Sequence, residues 1–78
     1  MARRHYVLIE TAVGKTKEVI DILKKTEGMK TVDAVTGPYD IIAVLEEDDL
    51  NVVGSQITER VHTIDGVTRT VTCLSIRV

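Results

Sequence analysis

Tyr39 and Asp40 set a phenol beside a carboxylate at the end of the stretch Thr36-Gly37-Pro38-Tyr39-Asp40. A carboxylate in such a place can pair with an ammonium, and the phenol can donate or accept a hydrogen bond next to it. The same residues also have a local use. Pro38 fixes its own φ, Gly37 can take angles closed to other residues, and Asp40 can accept hydrogen bonds from nearby backbone amides as an ordinary turn residue. A second group is Thr68, Thr70 and Thr72, which alternate along one run and so share a face if that run is a strand. Their hydroxyls both donate and accept, although strands also enrich threonine for its shape alone.

The other reactive residue types form no constellation. His5 and His62 lie in different elements without ligand spacing and read as surface residues. Cys73 has no partner for an internal disulfide and sits in an apolar strand pattern, so a buried, inert thiol in a reducing, cytoplasmic setting is expected. Glu46-Glu47-Asp48-Asp49 has the chemistry to bind a hard cation, but an Asp cap with acids at a helix N-terminus is the simpler reading. The glycines are dispersed and form no phosphate cradle. No catalytic residue, metal site or cofactor is therefore expected. A formal net charge of −2, scattered Lys and Arg, and the lack of Phe and Trp exclude a basic stripe or a stacking platform for nucleic acid. The first apolar run is broken at Glu10, too short for a signal peptide or a membrane span.

Seventy-eight residues suit one small domain, residues 1–78. Tyr6 to Ala12 is apolar at both parities and reads as a strand covered on both faces. From Lys15 the pattern turns helical, with Val19, Ile20, Ile22 and Leu23 on one side, ending by Glu27 with Gly28 as a left-handed cap. Met29 to Thr36 and Asp40 to Glu46 form the arms of a hairpin about the central turn. Leu50, Val53, Ile57 and Val61 mark the buried stripe of a second helix, in which Gly54 is expected to allow close approach to the sheet. Asp65-Gly66 ends that helix, and Val67 to Val78 is the last strand, with Leu74, Ile76 and Val78 on the threonine face. Gly28-Met29-Lys30-Thr31-Val32 and Gly66-Val67-Thr68-Arg69-Thr70 mark two similar halves. The order predicts a ferredoxin-like β-α-β-β-α-β fold, α+β in class, with two helices on one face of a four-stranded antiparallel sheet. The opposite face stays apolar, so the domain is expected to dimerise through it as an α/β sandwich.

The central turn followed by an apolar strand, together with Gly66-Val67-Thr68-Arg69-Thr70-Val71-Thr72, resembles the two signature stretches of the effector-binding domain of Lrp/AsnC transcription regulators. That domain is also called the regulation of amino acid metabolism domain. The resemblance runs from about Tyr6 to Ile76. It implies a sheet-paired dimer assembling into rings, and small effectors, usually amino acids, held between dimers. Carried over, it implicates Gly37, Tyr39, Asp40, Thr70 and Thr72, with Asp40 toward an α-ammonium and the Gly37 backbone and threonine hydroxyls toward a carboxylate. Only five residues precede the first strand, so a stand-alone effector domain without a helix-turn-helix is expected, one that could co-assemble with full-length regulators. The alternatives are a small dimeric ferredoxin-like enzyme of the oxygenase or isomerase type, which has no interior His or aromatic cluster to support it, and a purely structural assembly module.

Overall fold

Two runs of β-branched residues flank the central turn and pair with each other, and the second of them pairs in turn with the first strand. The computed structural model describes residues 3–76, leaving aside the side chains of Gln56, Ile57 and Thr58. In chain order the elements are β1 (Arg4–Thr11), α1 (Thr16–Lys24), β2 (Met29–Ala34), β3 (Ile41–Glu46), α2 (Leu50–Ser55), a π-helical turn (Gln56–Val61) and β4 (Val67–Leu74). The sheet is antiparallel in the order β2-β3-β1-β4. This is the ferredoxin-like arrangement expected from the sequence, with each helix crossing between strands.

Register divides the side chains into two sets. His5, Val7 and Ile9 of β1 lie beside Leu45, Ala43 and Ile41 of β3 and face the helices. They are buried together with Val19 and Leu23 of α1, Val53 of α2 and Val61. Burial of this aliphatic set is the principal driving force for the fold, at about 1.5–3 kcal/mol per fully buried large side chain. The opposite face carries Tyr6, Leu8, Ile42, Val44 and Val71 at alternate positions. Among the described residues no helix covers it, and Tyr6 remains 41% exposed.

Several boundaries and packing assignments differ from the sequence reading. α1 stops at Lys24, and its end is closed by the Lys25 N–H bonding to the Ile22 carbonyl at 3.1 Å and the Thr26 N–H bonding to the Leu23 carbonyl at 3.0 Å. Gly28 keeps a positive φ of 94° but turns the chain into β2 instead of capping the helix. Ile22 lies about 60° round the helix from Val19 and falls outside the buried stripe, at 45% exposure. Leu50 is half exposed because it opens the helix before the chain reaches the sheet, and the widened turn after Ser55 shifts the helical phase of the residues beyond it. Ile57, expected in the same stripe, lies outside the described side chains. β4 ends at Leu74, and the expected extension to Val78 passes beyond the described residues. Asp49 does cap α2, accepting the Asn51 N–H at 2.9 Å through Oδ1.

Gly54 does not serve close packing. A Cβ placed there meets nothing within 4 Å, and the residue is exposed. Gly54→Ala is therefore expected to stabilise the protein by about 0.5–1 kcal/mol through helix propensity. Urea unfolding checks this, and a lower midpoint would mean that Gly54 has a contact absent from the chain alone.

His5 and Cys73 exchange their expected environments. His5 is fully buried, its Nε2 donating to the Glu47 carbonyl at 2.9 Å and its Nδ1 accepting the Ser75 N–H at 3.1 Å. Cys73 pairs with Tyr6 on the uncovered sheet face of the edge strand β4 and is exposed. Among the described residues no helix is long and apolar enough to cross a membrane.

Candidate functional site

The central turn is held by its last residue. Asp40 donates its N–H to the Ile9 carbonyl at 2.9 Å, and its own carbonyl accepts the Val35 N–H at 2.9 Å to close the hairpin loop. Its carboxylate does not cap the turn. Instead Oδ2 accepts the Thr11 N–H at 2.8 Å, just beyond the register shift between Glu10 and Thr11. The side chain takes the place of a backbone carbonyl where β3 has not yet begun. Asp40 Oδ1 has no hydrogen-bond partner among the described residues. A carboxylate tethered by one oxygen and open at the other is oriented without being used up.

Gly37 adopts a φ of 117°, which a side chain would strain, and open space surrounds the position of a Cβ. Backbone geometry is thus what calls for glycine there. Tyr39 is half-buried beside it. Thr70 and Thr72 lie opposite Ile9 and Val7 of β1 and therefore face the helix side, Thr70 half-buried and Thr72 exposed. The Thr70 hydroxyl bonds to His62 Nδ1 at 3.3 Å.

The five residues therefore fall in two groups, one in the turn that leads into β3 and one on β4, on either side of β1. Gly37, Tyr39 and Asp40 gather at the β3 side, and Thr70 and Thr72 lie on the β4 side. Two inter-strand spacings, about 10 Å, separate β3 from β4. An open cavity of about 380 Å³ lies elsewhere, lined by Asn51, Val52, Ser55, Glu59 and Arg60. Among the described residues there is no group of His, Cys, Asp and Glu able to hold a metal ion. Two contributors were missed by sequence reasoning. Thr11 supplies a backbone amide, for which sequence gives no signal, and His62, which reads from the sequence as an isolated surface residue, bonds to Thr70.

The chain thus combines a ferredoxin-like sheet with a tethered carboxylate at the β2–β3 turn and a row of hydroxyls on β4. Residues 4–78 match the family model of the Lrp/AsnC ligand binding domain, and the chain belongs to that family. No curated protein sequence matches it. Among solved structures, FFRP-DM1 superposes with a TM-score of 0.89 at 31% identity, covering 95% of this chain and 99% of that one. TTHA0845 from Thermus thermophilus gives a TM-score of 0.91 at 26% identity, over 97% and 95% of the two chains. The transcriptional regulator NMB0573 from Neisseria meningitidis, solved as an L-Met complex, gives a TM-score of 0.84 at 13% identity, over 96% of this chain and 50% of that one. The last is a likeness of fold.

Proposed function

We propose that the protein binds a small effector, an amino acid, at an interface between subunits, and that it acts as a regulatory domain in the cytoplasm without catalysing a reaction. The observation that carries this reading is the Asp40 carboxylate, tethered through Oδ2 to the Thr11 amide while Oδ1 stays open. An α-ammonium on Oδ1 makes a charge-assisted contact, worth about 1.5–3 kcal/mol. The Gly37 backbone, the Tyr39 phenol and the hydroxyls of Thr70 and Thr72 supply the remaining polar contacts. Their separation on two sides of β1 favours completion of the site by another subunit. The family match and the L-Met complex of a protein with the same fold support an amino acid as the ligand class.

The uncovered face of Tyr6, Leu8, Ile42, Val44 and Val71 supports a homodimer packed sheet to sheet, which would also cover Cys73. Ring assembly of such dimers, with co-assembly of full-length Lrp/AsnC regulators through the same surfaces, is the regulatory mode proposed.

Thermal unfolding in the presence of each of the twenty amino acids tests the reading, with the assembly mass recorded by native mass spectrometry. An effector at about one hundred times its Kd adds about 2.7 kcal/mol of stability. One or a few amino acids are expected to raise the midpoint of a dimeric or larger species. No shift with any of them, or a monomer throughout, would contradict the proposal.

A further inference from the structure

His62 stands in the turn between the π-helical segment and β4, directly after Val61, whose side chain is fully buried in the core. That anchor fixes where the imidazole emerges. The ring is exposed, yet its Nδ1 lies 3.3 Å from the hydroxyl oxygen of Thr70, eight residues later on β4. Thr70 is half-buried over Ile9, and Thr72 follows it on the same face. A threonine hydroxyl has one proton and two lone pairs and turns freely when nothing holds it. A bond to a ring nitrogen occupies one of these positions and aims the others.

We propose that His62 is a positioning residue of the effector site, acting through Thr70 by holding its hydroxyl in one orientation toward a bound amino acid. This rests on the effector reading given above. Oriented in advance, the hydroxyl loses no rotational freedom when the ligand arrives, and its two remaining bonding positions are already set. His5, the other histidine, has no part in this, since both of its ring nitrogens are engaged by the Glu47 carbonyl and the Ser75 amide.

The test is calorimetric titration of the twenty amino acids, one at a time, into the unaltered protein, His62→Phe, His62→Asn, Thr70→Val and the double variant His62→Phe/Thr70→Val. His62→Phe keeps the ring and removes the nitrogen, while His62→Asn returns a polar atom close to the position of Nδ1. Loss of one neutral hydrogen bond corresponds to about a fivefold weakening. Each of His62→Phe and Thr70→Val is expected to weaken the tightest amino acid about fivefold, the double variant no more than either alone, and His62→Asn is expected to recover most of the loss. Such non-additivity is the signature of two residues acting as a unit. If Thr70→Val weakens binding and His62→Phe does not, or if their effects multiply, the role of His62 is wrong while the effector reading stands. Unchanged binding in Thr70→Val removes the residue through which His62 would act and overturns the inference. If the unaltered protein binds none of the twenty, the effector reading fails and this inference falls with it.

Discussion

Replacing Gly66 by Ala is expected to destabilise the protein by about 2–4 kcal/mol, from left-handed strain of about 1–2 kcal/mol and overpacking of about 1–3 kcal/mol. Gly66 has a φ of 100°, and a Cβ added there would stand 2.8 Å from Lys15 Cβ and 3.2 Å from Val19 Cγ2. Val19 is fully buried and Lys15 precedes α1, so neither moves without disturbing the packing of the helix on the sheet. The Gly66 carbonyl also accepts the Ala12 N–H at 2.8 Å, which ties the entry to β4 to the end of β1. Chemical denaturation of Gly66→Ala measures the effect. A loss below about 0.5 kcal/mol, the usual range of neutral surface changes, would mean that this junction is softer than the geometry implies.

The second large effect belongs to His5. A backbone amide only donates and a carbonyl only accepts, so the bonds to Ser75 N–H and to the Glu47 carbonyl together require Nδ1 bare and Nε2 protonated. The ring thereby links β1 to the segment after β3 and to the chain just beyond β4. His5→Phe fills the same space but leaves a half-buried acceptor and a half-buried donor without their partner, each costing about 1–2 kcal/mol. A total loss of about 2–4 kcal/mol is expected in denaturant unfolding. Nitrogen-15 spectra of the imidazole provide an independent check, since the Nε2–H tautomer has a distinct pattern. The opposite tautomer, or an undiminished midpoint in His5→Phe, would contradict this role.

The order of strands and helices was legible because local chemistry and long-range packing agree in this chain. The β-branched runs on either side of Gly37-Pro38 pair as a hairpin, and the 3.6-residue recurrence of Val19 and Leu23 faces the core. The failures came where one residue type serves two environments. His5 shares the parity of Val7 and Ile9, a signal for burial that was outweighed by the usual exposure of histidine. Cys73 shares the parity of Val71, yet both helices cover the other face, which an apolar pattern at both parities could not decide. Gly54 looked like a contact point because a helical wheel gives it a side but not a neighbour. Periodicity also assumes an unbroken α-helix, and the π-helical turn after Ser55 departs from that assumption.

For the candidate site, sequence supplied the residues but not their grouping. Asp40 was expected either to cap its own turn or to meet a ligand; the structure gives it a third role, at the Thr11 amide, which leaves one oxygen free for the second of those. That bond crosses 29 residues of chain and rests on a backbone donor, so no side-chain pattern announces it. It also determines how the residue is best probed. Asp40→Ala would remove the tether as well as the charge, whereas Asp40→Asn keeps an oxygen for Thr11 N–H and removes only the charge.

The most direct measurement is therefore the affinity of Asp40→Asn for the amino acid that stabilises the unaltered protein best, taken by calorimetry beside an unfolding curve of the variant. Loss of the charge-assisted contact predicts a weakening of about tenfold or more, with the unfolding midpoint nearly retained. Equal affinity in the variant and the unaltered protein would contradict an effector site built on Asp40.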